Sequence, residues 1–422
     1  CNNECGGNAI ADECGICNGD NSSCADCNSD PNGEAYVNEC DTCIEGSTGL
    51  SENDCIGCMD MNACNYNTVA NIDFGCTYPN ECGVCNAAYT YCESENVEFI
   101  ANWNFGHLIE EYGMRYYSDI WGYTDPQGNE YALIATWDGT HIIDISGDFP
   151  IEAGFIGGAF SIWRDIKTFG HYMYIGTEAN LYPYYQGQEG IQVVDLSDPY
   201  NPILVNEWDQ ITQSHNIMEY EGYLYVIGSY DDVNGDGNTS DLIVLNVTSD
   251  PANPEYVTEW SGHYLHDVCM HGDRLYGCGI QIGQSYDDKM FAFDISDPSN
   301  VNLIGEWDGV YAAHACWVSD DGNTVFTGSE FAGGHIMSFD VSDINNINHL
   351  DSWMPEGGEI WSAHNLFVKN NHLYISYYVY GLQVLDISDP SNMVRAGYYD
   401  TIDEIAEGTD SPFDSVWGAY PY

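Results

Sequence analysis

The sequence predicts an all-β fold: a β-propeller of seven blades, with six as the alternative count, preceded by an N-terminal disulfide-rich, loop-dominated stalk. Three observations carry that prediction. A hydrophobic pattern, seen in residues 242–260 as LIVLNVTSDPANPEYVTEW, recurs six times; its central Asp144, Asp195, Asn246, Asp294, Asp340 and Asp386 are spaced by 51, 51, 48, 46 and 46 residues. Apolar residues within each unit alternate with period two, in runs bounded by Gly, Asp, Asn and Pro, which is the signature of strands in hairpins. Fifteen of the 18 cysteines lie before residue 93, so the chain divides into residues 1–93, a row of cysteine-rich modules, and 97–422, the propeller.

In the first region large apolar side chains are few, and covalent staples must replace a core, each contributing about 2–4 kcal/mol. Five CxxC pairs (Cys14/Cys17, Cys24/Cys27, Cys40/Cys43, Cys55/Cys58 and Cys82/Cys85) admit zinc ribbons as the alternative to disulfides. Zinc usually takes two pairs closing one knuckle, whereas these repeat serially among acidic residues, which favours disulfides. Asp60, Asn62, Asn67 and Asp73 are hard oxygen donors suited to calcium or, equally, to solvated turns.

Each later unit holds four strands. From His215 they read HNIMEY, YLYVIGS, LIVLNV and PEYVTEW, and four strands at this period make a propeller blade. The Asp-Pro pairs at Asp198, Asp250, Asp297 and Asp389 suit a tight turn between third and fourth strands, since Pro presets φ and Asp accepts backbone hydrogen bonds. Trp208, Trp260, Trp307 and Trp353 close fourth strands and are expected to fill the space between blades. First strands begin at Ser118-Asp119, Arg164-Asp165, His215-Asn216, His266-Asp267, His314-Ala315, His364-Asn365 and Asp414-Ser415. The last pair would open a seventh blade, with residues 97–103 as its fourth strand. Two of its strands would then be missing, to be supplied by further chain or by a neighbouring molecule.

The quoted blades contain SIWRDIKTF, QSHNIMEY, YLHDVCMHG, YAAHACWVSDDG, the stretch from Trp361 to Ser388, and the closing VWGAYP. Through these the third-strand pattern resembles the LVIVD repeat, and most of residues 119–422 is similar to the choice-of-anchor B family of secreted bacterial proteins. The modules at 4–24 and 57–76 resemble cysteine-rich repeats of secreted bacterial proteins. The resemblance implies an exported, surface-located propeller whose biochemical role is open.

First strands line a propeller's channel, so Asp119, Arg164, Asp165, His215, His266, Asp267, His314 and His364 are candidate channel-lining residues. Converging neutral imidazoles could bind a transition metal or an anionic ligand; repetition from blade to blade favours a structural hydrogen-bond network. A calcium site is expected where Asp232, Asn234 and Asp236 occupy alternate positions ahead of Gly237, with Asp241 to complete the set. The EF-hand glutamate is absent, because Ile243 stands at the twelfth position. Asn21, Asn238 and Asn246 stand in glycosylation sequons.

Seven basic residues face 67 acidic ones, a formal charge of −60. That field repels nucleic acid and anionic membranes, and it makes bound divalent cations expected contributors to stability. No run approaches the roughly 20 apolar residues that span a bilayer, and dense cysteine points to an oxidising compartment. The expectation is an extracellular or cell-surface structural or interaction protein, calcium-stabilised, bound to other copies of itself or to surface proteins. A homopolymer built through the stalk and the incomplete last blade is one form. The alternative is a secreted metal-dependent enzyme using the histidine ring, although no nucleophile–base pair stands out.

Overall fold

The computed structural model of the chain describes residues 12–14, 16, 20–37, 43–48, 56–60, 63, 72–73, 75–78, 94–103, 117–147, 149–179, 190–280, 288–401, 413 and 415–422. Cys17, Cys40, Cys55, Cys82, Cys85, Asn62, Asn67 and Asp414 lie outside these residues. The chain forms two compact units: Cys1–Ala88 with Asn102–Tyr112, and Tyr89–Ala101 with Gly113–Tyr422.

Among the described residues of the first unit, regular structure is confined to fragments. Tyr36–Val37 pairs antiparallel with Cys43–Ile44, and Ile56–Gly57 pairs parallel with Ile72–Asp73. Disulfides join Cys14 to Cys24, Cys27 to Cys43 and Cys58 to Cys76, so these cysteines link separate segments and are not zinc ligands. With almost no core available, one carboxylate organises a turn: Asp26 accepts the N–H groups of Asn28, Asp30 and Ala35 at 2.9–3.0 Å.

The second unit holds six antiparallel sheets, each built around four consecutive strands, five of them four-stranded and the last joined by a fifth strand. Blade one comprises β1 (Tyr117–Thr124), β2 (Glu130–Thr136), β3 (Gly139–Asp144) and β4 (Ile151–Gly157). Blade two comprises β5 (Arg164–Phe169), β6 (Tyr172–Thr177), β7 (Ile191–Asp195) and β8 (Ile203–Trp208); blade three β9 (Asn216–Tyr220), β10 (Tyr223–Ile227), β11 (Leu242–Asn246) and β12 (Glu255–Trp260). Blade four has β13 (Asp267–His271), β14 (Arg274–Gly279), β15 (Lys289–Asp294) and β16 (Asn302–Trp307); blade five β17 (Ala313–Val318), β18 (Thr324–Ser329), β19 (Ile336–Asp340) and β20 (Asn348–Trp353). Blade six ends the series with β21 (Leu366–Lys369), β22 (His372–Ser376), β23 (Leu382–Asp386) and β24 (Val394–Tyr399).

Second and third strands are apolar on both faces because each blade is sandwiched between two others. The core is accordingly a row of interblade clusters. Leu133 and Ile142 of blade one meet Ile166 and Met173 of blade two. Tyr225 and Val244 of blade three meet Leu275 and Phe293 of blade four. The fourth-strand tryptophans fill the seams as expected: Trp208 is buried between blades two and three, and Trp260 meets the edge of Phe293 at 4.9 Å. The Asp-Pro turns close by an i→i+3 bond, as from Asn201 N–H to Asp198 O and from Asn300 N–H to Asp297 O. Every fourth strand carries a one-residue bulge, and the extra residue is apolar each time: Ala153, Val205, Val257, Ile304, Leu350 and Ala396.

Of the two blade counts expected, seven and six, the structure has six. Ser94 and Glu95, just before the segment expected to be a seventh blade's fourth strand, pair with Tyr399 and Tyr398 as a fifth strand of blade six. The C-terminal segment repeats a first strand in sequence, but among the described residues its strand pairing is one β-bridge, Val416 to Tyr378. It serves instead as a wedge between blades six and one. Tyr420 sits edge-on to Trp121 of β1 at 4.9 Å and to Phe367 of β21 at 5.1 Å. Lys369 donates to Pro421 O at 3.0 Å, and the Tyr422 hydroxyl donates to Tyr131 O. Gly122 makes room for this wedge, since a Cβ there would lie 2.1 Å from the Tyr420 ring.

Candidate functional site

Two polar groupings occupy the inner strands. The first is a ladder between neighbouring blades. Asp119 accepts the Ile166 N–H at 3.1 Å, and Asp165 accepts the Ile217 N–H at 2.7 Å. Each carboxylate thus caps a free amide of the next blade's first strand, and this repeated bond is structural. Lys167, two residues beyond Asp165 and so on the same strand face, lies 2.8 Å from Asp165 Oδ1 and 3.6 Å from Asp119 Oδ2. It stands 4.5 Å above the Trp121 ring. Burial alone would lower the Lys167 pKa, but the Asp165 and Asp119 charges outweigh it and hold the ammonium charged. Burial lifts the Asp119 carboxyl well above its usual range, with Lys167 opposing and Asp165 adding. Asp267 bonds the adjacent Val268 N–H at 2.7 Å, and burial pushes its pKa up to about 7.

The second grouping is an arc of four imidazoles on blades three to six. Ring centroids are 4.0 Å apart from His215 to His266, 4.2 Å from His266 to His314 and 4.3 Å from His314 to His364. The same register in consecutive blades puts them together, since each stands at or just before the start of an inner strand. Their partners differ. His215 faces Glu178 at 2.5 Å; burial opposes its protonation, but that carboxylate outweighs burial and raises its pKa. His364 donates through Nδ1 to Trp417 O at 2.5 Å. His266 Nδ1 meets His314 O at 3.3 Å. His314 Nε2 lies 3.5 Å from Glu330, whose other oxygen accepts the Tyr378 hydroxyl at 2.6 Å. Burial, with the neighbouring histidines, pushes both His266 and His314 well below the normal imidazole range, so both are neutral near pH 7.

Arg164 shares the histidines' register but does other work. Its Nε donates to Thr136 O at 3.2 Å and its Nη2 to Ala159 O at 2.6 Å, tying blade one to blade two. Three residues of the site escape sequence reasoning: Lys167, Glu178 and Glu330. The two glutamates directly follow the second strands β6 and β18, in the matching strings GTEA and GSEF, and that repetition is the signal that could have found them.

The expected calcium loop connects β10 to β11, at the end of blade three where β9 begins. Asp232 accepts the Asp236 and Gly237 N–H groups at 3.0 and 2.9 Å, and Asn234 accepts the Asp236 N–H at 2.8 Å. Gly237 has φ of 91°, a turn that favours glycine. Asp241 is engaged elsewhere: its carboxylate accepts the Gly262 N–H at 2.7 Å, and burial raises its pKa. Cys269 of β13 is bonded to Cys316 of β17, a covalent link between blades four and five, while Cys278 is free and buried.

No curated protein matches the chain. Among solved structures it is similar to a candidate 6-phosphogluconolactonase from Bacteroides uniformis ATCC 8492, at 10% identity and TM-score 0.48, over 63% of this chain and 79% of that one. It is also similar to a functionally unknown protein from Desulfotomaculum acetoxidans DSM 771, at 14% identity and TM-score 0.46, over 67% and 85% of the two chains. The RRP9 WD40 repeats align at 9% identity and TM-score 0.46, over 66% and 79%. Residues 163–210, 287–309 and 362–401 match the LVIVD repeat; they cover blade two, the outer strands of blade four and blade six. The chain therefore carries a six-bladed β-propeller built in part from LVIVD repeats.

Proposed function

We propose that the chain is an extracellular or cell-surface structural and interaction protein, a calcium-stabilised propeller on a disulfide stalk that associates with further copies of itself or with other surface proteins. The observation that carries this reading is the outer rim. Strand β8 is last in its sheet and exposes Ile203, Leu204 and Val205 by 59%, 41% and 41%. Leu303 and Ile304 on β16, Ile151 and Phe155 on β4, and Val394 on β24 are exposed as well. Apolar side chains on an edge strand form a template for another chain. Association is assigned to this rim rather than to an unfinished seventh blade, because each of the six blades has its four strands.

Four disulfides among the described residues support an oxidising exterior. The wider likeness to the choice-of-anchor B family points the same way. Calcium would be held by Asp232, Asn234 and Asp236, hard oxygen donors on a glycine-turned loop. The test is light scattering on the oxidised chain at fixed ionic strength, with and without calcium, beside the triple variant Ile203→Ser, Leu204→Lys, Val205→Ser. Mass above the monomer that falls in the variant is expected. A monomer at every concentration, or association indifferent to the rim, contradicts the proposal.

A further inference from the structure

We propose that His266, His314 and Glu330 form a binding site for one transition-metal dication of the zinc class, between blades four and five. Among the described residues this is the group of three or more His, Cys, Asp or Glu side chains whose ligand atoms all lie within 4.8 Å of one another. Two imidazoles and one carboxylate are a zinc donor set that leaves a fourth position open, whereas calcium and magnesium prefer all-oxygen shells.

Local details select these three from the longer arc. His215 is committed to Glu178, and the ligand atoms that come together are those of His266, His314 and Glu330, without His364. His266 spends Nδ1 on the His314 carbonyl, which leaves Nε2 as the ligating nitrogen; a backbone carbonyl on the remote ring nitrogen is the usual outer partner of a metal-bound histidine. The Tyr378 hydroxyl bonds one Glu330 oxygen and orients the other toward His314. Both imidazoles are about 95% buried, and the His314 nitrogen that faces Glu330 is Nε2, at 3.5 Å. The Cys269–Cys316 disulfide ties together the two strands that carry or adjoin the histidines, so their spacing is fixed before any ion arrives. With bonds near 2.0–2.1 Å, tetrahedral ligands stand about 3.4 Å apart, close to the 3.5 Å between His314 Nε2 and Glu330.

The strongly acidic surface binds dications weakly, so the experiment must separate site from surface. The full oxidised chain is stripped with chelator, returned to millimolar calcium, and titrated with zinc against a chromophoric competitor and with cobalt(II) followed by visible absorption. One equivalent should bind, and cobalt should show the intense bands of a four-coordinate ion. Affinity should fall by about 100-fold or more in His314→Gln and Glu330→Gln and stay unchanged in His349→Gln, an exposed histidine on β20. Glu330→Gln keeps size and shape, so it decides the matter if His314→Gln fails to fold. Absence of a one-equivalent site in the unsubstituted chain, or equal affinity in Glu330→Gln, overturns the proposal.

Discussion

Replacing Tyr420 by Ala should loosen the whole ring, because this side chain fills the seam at which the first and last blades meet. Its ring is half-buried and makes two edge-on contacts, with Trp121 at 4.9 Å and Phe367 at 5.1 Å. Truncating a fully buried aromatic costs about 3–5 kcal/mol; half burial puts Tyr420→Ala at about 2–3 kcal/mol, of which each aromatic pair supplies ~0.5–1.5 kcal/mol. For a unit of this size a kilocalorie moves the melting midpoint by about 2 °C, so a fall of roughly 5 °C is expected by scanning calorimetry. Gly122→Ala should act in the same direction from the other side of the contact, since its methyl would strike the same ring. Tyr420→Phe, which keeps the ring, should melt near the unsubstituted chain. A Tyr420→Ala midpoint within about 1 °C of the parent would refute the closing role of the C-terminal segment.

Further outcomes can be stated briefly. Asp165→Ala removes the acceptor of the Ile217 N–H and the nearer partner of the buried Lys167, and should cost about 3 kcal/mol by urea unfolding; adding Lys167→Met to that variant removes the stranded ammonium and should recover part of the loss. Chelator should lower the thermal midpoint of the parent chain but not of Asp232→Ala/Asp236→Ala; equal response in both excludes the loop as the calcium site. Hydrogen bonds from the Ser342 side chain and backbone hold Asp340 below the ordinary aspartate range. A group so depressed contributes stability that is complete above its unfolded pKa and lost as pH falls through the folded one. Carboxyl-resolved NMR titration should show Asp340 ionised into that lower range, and Ser342→Ala should return it upward.

Repeat period, strand alternation and turn chemistry were enough to give the blades, because a third strand buried on both faces leaves a continuous apolar run such as LIVL at Leu242. The blade count was harder. VWGAYP carries the first-strand pattern since it packs against the same kind of neighbours as β1, yet pattern does not reveal whether three more strands follow in space. In the site, the four histidines were legible because they share one register. Glu178 and Glu330 were not, as each lies many residues from the imidazole it faces and is brought there by a different strand. Arg164 shows the converse: equal register, but a longer side chain that reaches carbonyls of the preceding blade. Asp241 fits the loop spacing, while its backbone position at the start of β11 directs it to Gly262 instead.

Electron microscopy of the oxidised chain in calcium tests the central claim most directly. Particles joined through the outer strands, with β8 or β16 at the contacts, are the predicted result; isolated rings, or contacts confined to the channel faces, would contradict it.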